Sequence, residues 1–458
     1  MKPLFGLTLV LACCVTAAHA QQAVEATLAG HAVVPFNTVA TPPADAGAFF
    51  ATSGKFANGK RVRNEVLGSE AANTFVGDPK YPRASGGALP VKGQAVQGFS
   101  GIAMLDRNHY LTLTDNGFGN KINSQDALLM VHRVAVDWAK GSTRLQSTTF
   151  LHDPDRKVPF AIQNEASAQR YLTGVDFDVE SLQLVGKEMW IGDEFGPYLI
   201  RADLDGKVLA VHEMKVGDVA YRSPDHYLNG RLGNLPTDSI GSWNVRRSGG
   251  FEPMAKSPDG SKLYPALEWP AFDAASKGFE RAANGKTFTR IFEFDVAAGR
   301  YTGKQWKYPF EQDGNVMADF QLLDASTGLL IERDDSSEGL GQVCAGEMTR
   351  TDCFNKPAAF KRVYKIDLAQ ADVDGFVKKV AYIDLTRIAD PKRASRYSDA
   401  SGRFGLPHLG PEGLALVDGQ HIVLVNDNNF PYSSGRQLAK PDDNELTLLD
   451  IKALIDAR

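Results

Sequence analysis

Apolar and polar positions alternate in short runs along most of the chain, and the runs break at turns rich in Gly, Asp or Asn. Five stretches share one order: FSGIAMLDRNHYLTLTDNG from Phe99, VESLQLVGKEMWIGDEFGP from Val179, FEPMAKSPDGSKLYPALEWP from Phe251, DFQLLDASTGLLIERDDS from Asp319 and PEGLALVDGQHIVLVNDNNF from Pro411. Each reads as strand, tight turn, strand and polar cluster, with Asp259-Gly260 and Asp418-Gly419 as hairpin turns. Two further strand-like runs follow most of these hairpins, as in YLIRADLDGKVLAVHEM from Tyr198, RIFEFDVAAGRYTGKQWKYPF from Arg290 and RVYKIDLAQADVDGFVKKVAYIDL from Arg362. Two strands plus two strands, repeated, is the pattern of β-propeller blades. The expected fold is all-β, a β-propeller of five or six four-stranded antiparallel blades. Five units can be counted, and a sixth would have to lie between Arg61 and Gln97. A β-sandwich also satisfies the alternation, but it leaves the recurring polar positions unexplained.

The last unit is incomplete, because only NELTLLDIKALI from Asn444 follows its hairpin. The run AVEATLAGHAVVP from Ala23 alternates without a local partner. Ala23 to Val34 is therefore expected to pair with Glu445 to Ile451 as the missing outer strand, which closes the ring and covers an edge that would otherwise invite aggregation.

Residues 1–20 read differently. Lys2 precedes an apolar run from Leu4 to Val15, and Ala18-His19-Ala20 has the small residues of a signal-peptidase site. The run is too short to span a bilayer, so a cleaved signal and a periplasmic or secreted single domain over residues 21–458 are expected. Val10-Leu11-Ala12-Cys13 loosely resembles a lipoprotein box that would acylate Cys13 instead. Cys344 and Cys353 remain after cleavage, and in an oxidising compartment such a close pair reads as a local disulfide. The formal net charge is −5, with no Lys/Arg run, which argues against nucleic acid and anionic membranes as partners. A monomer is expected.

In a hairpin, the start of the first strand and the end of the second lie side by side. Glu412 should thus neighbour Asp427, Glu180 should neighbour Asp193 and Glu194, Glu252 should neighbour Glu268, Asp319 should neighbour Asp334, and Ser100 should neighbour Asp115 and Asn116. If these are the inner hairpins, one mouth of the channel collects them all. Carboxylates crowded there raise one another's pKa unless a cation sits among them, and hard oxygen donors suit calcium. Asp, Asn and Gly at strand ends are also ordinary turn chemistry. Glu is not, since turns and strands both disfavour it, and Glu180, Glu252 and Glu412 recur at one repeat position. The expected calcium ligands are Glu180, Asp193, Glu252, Glu412 and Asp427. Asp115, Asn116, Glu268, Arg333 and Asn428 are expected to bind substrate, and His408 or Glu194 to act as general base.

No G-x-S-x-G elbow, H-E-x-x-H, phosphate loop or dinucleotide fingerprint is present. The segments GFSGIAML with LTDNG, DVESL with WIGDEFGPYLIRAD, GGFEPMAKSPDGSKLYPALE, LLIERDD, and GPEGLAL with VNDNNF resemble the secreted bacterial phytase-like propeller family, described as esterase-like activity of phytase. The likeness runs from about Gly98 to the C-terminus, and GDEFGP is its most specific piece. More distantly the arrangement resembles the calcium-centred propellers of paraoxonases and gluconolactonases. These resemblances imply a propeller and ester hydrolysis. Arg201, Arg246, Arg247 and Arg333 could hold phosphates, but no dense basic cluster supports a phytate substrate. The resulting expectation is a calcium-dependent hydrolase of ester or phosphoester bonds acting on a small molecule. A non-catalytic binding propeller and a lactonase are the alternatives.

Overall fold

A computed structural model of the chain describes residues 21–57, 75–76, 83–229, 243–273, 275–345 and 352–458. The candidate signal peptide and Cys13 lie outside the described residues, as does part of the region Arg61 to Gln97. Within that region the described strands Val91–Lys92 and Gln94–Ala95 pair only with Thr52–Ser53 and Val39–Ala40.

Strands dominate, and they assemble as the alternation predicts. The first unit is Phe99–Asp106, His109–Thr114, Met130–Asp137 and Ser142–Phe150, joined antiparallel in chain order. The second is Val179–Val185, Glu188–Asp193, Tyr198–Asp203 and Val208–Glu213. The third is Met254–Lys256, Lys262–Pro265, Phe288–Asp295 and Arg300–Pro309. The fourth is Asn315–Leu322, Thr327–Asp334, Lys361–Asp367 and Lys378–Asp384. The last unit takes Gly410–Leu416, His421–Asp427 and Asn444–Asp450 from the C-terminal end, and Thr27–Val34 completes it. The first strand of each unit stands beside the first strand of the next, and that of the last unit returns beside Phe99–Asp106. The described sheets therefore surround one axis, with their first strands innermost. This is a β-propeller.

Closure occurs as expected from the two chain ends. Thr27 faces Asp450 and Val34 faces Asn444 across an antiparallel ladder. The pairing begins four residues later than Ala23, because Gln22 and Ala23 lie instead along Ala381 and Tyr382 of the fourth unit.

The core is distributed between the sheets. Leu113 and Val131 of the first unit pack with Leu182, Ile191 and Ile200 of the second. Trp190 and Leu199 continue to Leu263 and Phe292 of the third, and Tyr264 and Ile291 continue to Phe320 and Leu330 of the fourth. Leu329 and Val363 meet Leu414 and Leu424, and Val423 and Leu446 return to Ile102 and Tyr110. Every sheet thus packs on both faces, and inner strands such as Asn315–Leu322 and Gly410–Leu416 are buried along nearly all their length, polar positions included.

The disulfide Cys344–Cys353 is present, with Cα atoms 5.1 Å apart. Among the described residues no helix is long and apolar enough to cross a membrane.

Candidate functional site

The inner strands carry irregularities at matching places. Pairing slips between Leu113 and Thr114 around Ser100, between Val179 and Leu182 around Glu180, between Met317 and Asp319 around Ala318, and between Pro411 and Gly413 around Glu412. Each slip places an extra residue on the inner strand, a β-bulge, and bulges re-aim side chains. Glu252 holds the corresponding place just ahead of the strand beginning at Met254. Glycines let the strands approach: a Cβ on Gly101 would lie 2.8 Å from the Glu180 carbonyl oxygen, and one on Gly413 would lie 3.0 Å from that of Ser100.

The bulges and the close approach bring carboxylates together. Glu180, Glu252 and Glu412 each offer an oxygen within 4.8 Å of the others, and Asp178, Glu180 and Glu194 do the same. All five are buried. Both groups can hold a metal ion, but their electrostatics differ. Arg333 enters the first: its Nη2 lies 2.8 Å from Glu412, 3.5 Å from Glu268 and 3.8 Å from Glu252, while Nη1 lies 2.9 Å from Asp335. Among the described residues no Lys or Arg pairs with Asp178, Glu180 or Glu194. Ser100 Oγ donates to the other oxygen of Glu412 at 3.0 Å, and Asn116 Nδ2 donates to Asp178 at 2.6 Å. Glu194 Oε1 and Glu252 Oε1 are buried without a hydrogen-bond partner. Burial, reinforced by neighbouring carboxylates, holds Glu180, Glu194 and Glu252 well above the usual carboxylate range. Glu268 is raised as well, against the pull of Arg333. Burial pushes Asp178 up to about 6 and Asp115 up to about 8.

Several expected residues stand elsewhere. Asp193 spends its carboxylate on the backbone, accepting from the Asp178 and Gly196 N–H groups at 2.8 and 2.7 Å, so it holds a turn. Asp427 accepts from the Asn429 N–H at 2.6 Å and belongs to neither carboxylate group, although Glu412 and Asp115 help to raise its pKa. Asp115 accepts from Gly117 N–H and Gln97 Nε2. Asn428 uses both ends structurally, accepting from Gly98 N–H and donating to the Asp442 carbonyl, each at 2.9 Å. Arg333 is a counter-ion embedded among carboxylates, not a free substrate clamp. Asp319 does not oppose Asp334: the bulge sets it against Ile331, and it accepts from the Leu414 N–H at 2.6 Å, tying two inner strands together.

His408 is fully buried with Asp442 at 3.2 Å and Glu445 at 3.3 Å on its two ring nitrogens. These carboxylates push its pKa up to about 9 against the opposing effect of burial. An imidazole held protonated at neutral pH cannot accept a proton, so the expected base belongs to an ion cluster. Arg201 and Arg247 are likewise engaged, with Glu188 and Asp225.

Asp178 joins the second carboxylate group without being among the expected ligands. It precedes Glu180 by two positions, just ahead of the strand Val179–Val185, and Glu180 stands at the bulge that follows.

Fold and site together define a β-propeller whose inner strands gather acidic side chains at one channel mouth. The chain belongs to the phytase-like family, described as esterase-like activity of phytase, which matches residues 94–430. No curated protein matches the sequence. Solved structures that resemble it include a Pseudomonas aeruginosa periplasmic gluconolactonase (11% identity, TM-score 0.31, covering 82% of this chain and 98% of that one). Others are a Myxococcus xanthus glutaminyl cyclase (10%, 0.34, 81% and 94%) and a beta 1,3 galactosidase (11%, 0.38, 83% and 94%). Likenesses this distant carry no argument about the chemistry of this chain.

Proposed function

We propose that the protein is an exported, metal-dependent hydrolase of ester or phosphoester bonds, and that calcium is held by Asp178, Glu180 and Glu194. One observation carries the reading: among the described residues this buried carboxylate group has no cationic side chain, while the adjoining group already contains Arg333. Three buried carboxylates without a counter-charge would be protonated or would repel. The unpartnered Glu194 Oε1 and an all-oxygen donor set fit a hard cation. Such an ion supplies a Lewis acid for a phosphoryl or carbonyl oxygen and lowers the pKa of bound water.

The chain's own groups divide the remaining work. Asn116 fixes Asp178 by donating to it, which orients that carboxylate. Glu194 fits better as a ligand than as the base. Glu252 borders Glu180 and keeps Oε1 free of hydrogen bonds; burial and neighbouring carboxylates raise its pKa, with Arg333 opposing them, and a cation at the adjoining group would draw it back toward the ionised form. It is the group assigned to accept the proton of the attacking water. Cleavage after Ala20 and a monomeric mature chain complete the proposal.

The test is a panel of p-nitrophenyl acetate, p-nitrophenyl phosphate, bis-p-nitrophenyl phosphate and a lactone, assayed with calcium and with chelator, alongside elemental analysis. Turnover of an ester or phosphoester that chelation abolishes and calcium restores is expected. Turnover of the lactone alone would make the protein a lactonase. A calcium-loaded protein that turns over nothing would be a binding propeller.

A further inference from the structure

We infer that an apolar, aromatic-walled subsite beside the channel mouth takes the aryl or acyl portion of an ester substrate. The inference rests on the ester-hydrolase reading and names the substrate class for it. A cavity of about 480 Å³ is lined by Trp269, Pro270, Phe279, Arg281, Thr287 and Asn315, among others. Its size falls in the range of small-molecule sites.

Two lining residues lie close in sequence to residues that face the mouth. Trp269 directly follows Glu268, whose carboxylate lies 3.5 Å from Arg333. Asn315 begins the inner strand of the fourth unit, and the next residue, Val316, faces Arg333 across the ladder. A substrate with its reacting bond at the carboxylates could thus lay a side group into the cavity.

The polar groups of the lining are already engaged with the protein. Arg281 Nη1 donates to the Gly285 carbonyl and to Asp313, both at 2.7 Å. Thr287 Oγ1 donates to Asp313 at 3.1 Å, and Asn315 Nδ2 donates to Glu332 at 2.7 Å. The Arg246 guanidinium lies 3.7 Å from the Trp269 ring centroid, a cation–π contact that helps to fix the indole. A ligand entering here meets mainly Trp269, Pro270 and Phe279. Such walls favour a flat apolar group, and they offer a multiply phosphorylated polyol no unpaired cation.

The experiment compares wild type with Trp269→Ala and Phe279→Ala. Phe279 belongs to the two-residue strand Gly278–Phe279, outside the four-stranded units, so its truncation keeps the test open where Trp269→Ala fails to fold. Calorimetric titration with 2-naphthol reads binding without turnover, and kcat/KM is measured for 2-naphthyl acetate and ethyl acetate. Saturable naphthol binding is expected in the wild type, weakened about tenfold in each variant by lost aromatic packing. The naphthyl ester should lose a similar factor through KM while ethyl acetate is unchanged. Naphthol binding weakened in the variants, with no ester turned over by any form, supports the subsite and overturns the hydrolase reading alone. Absent naphthol binding in the wild type, or equal binding in all three forms, overturns the subsite whether or not esters are cleaved.

Discussion

Glu194 and Glu252 present similar chemistry and are asked to do different things. Both are buried with Oε1 free of hydrogen bonds, but only Glu194 shares the group that, among the described residues, lacks a cationic side chain. Glu194→Gln should therefore lose calcium and turnover together. Glu252→Gln should keep calcium, measured by titration calorimetry, while kcat falls by about 10²-fold or more, the scale of a lost general base. Calcium affinity unchanged in Glu194→Gln would remove that residue from the ligand set. A second residue-scale expectation concerns His408, which the ion cluster raises from 6.5 to about 9. The folded state thus holds its proton more tightly than the unfolded chain. Its stabilisation is complete below about pH 6.5 and is lost as pH rises through about 9, a change of about 3 kcal/mol. The facing groups do not oppose this on the alkaline side. Asp442 and Glu445 are held below the usual carboxylate range, their contribution fading only toward acid. Denaturant unfolding from pH 6 to 10 should show the alkaline fall, and His408→Gln should flatten it.

Among the elements, the strand Thr27–Val34 has the largest leverage. It pairs with Asn444–Asp450 along its length and buries Leu28, Ala32 and Val34. His31 on this strand reaches Glu445 at 3.0 Å. Removing residues 21–34 opens the last sheet and exposes its edge. The thermal midpoint should drop by roughly 10 °C or more. An unaltered midpoint would mean that closure does not depend on this strand. The bulges matter in another way. Because side chains alternate along a strand, one extra residue changes which of them face the channel. That slip helps to put Glu180 and Glu412 at the mouth, whereas Asp319 stands apart from Asp334 because the strand begins at Asn315, which takes Asp334 as its partner.

At the scale of the molecule, the ring converts dispersed carboxylates into a single charged mouth. The third unit contributes Glu252, the second Asp178, Glu180 and Glu194, and the last Glu412, each from a different region of the chain. A cation bound there contacts only the folded state, so it stabilises the protein by mass action. Chelation should lower the midpoint, and calcium at a hundredfold excess over its dissociation constant should restore about 2.7 kcal/mol. A midpoint indifferent to chelator and calcium would leave the carboxylates as proton-sharing groups balanced by Arg333. The magnitude should shrink in Glu180→Gln, since Glu180 belongs to both carboxylate groups.

Local pattern was enough to reveal the hairpins, the four-stranded repeats, the missing outer strand and its source at the N-terminal end, because alternation and turn residues act over a few positions. It also marked Glu180, Glu252 and Glu412, since Glu at a recurring strand start has no turn-forming explanation. Roles were harder to read. Asp193 and Asn428 look like ligands in the sequence, yet their oxygens satisfy backbone N–H groups that the fold buries. His408 lies four residues before Glu412, yet it packs against Asp442 and Glu445 of the closing region. Arg333 looked available for substrate, and the ring surrounds it with carboxylates from other units. Which polar group is spent on the backbone, which is balanced by a counter-charge and which is left unpartnered depends on contacts between residues far apart in the chain. Only the closed ring, with its bulges and glycine-permitted approaches, fixes those contacts.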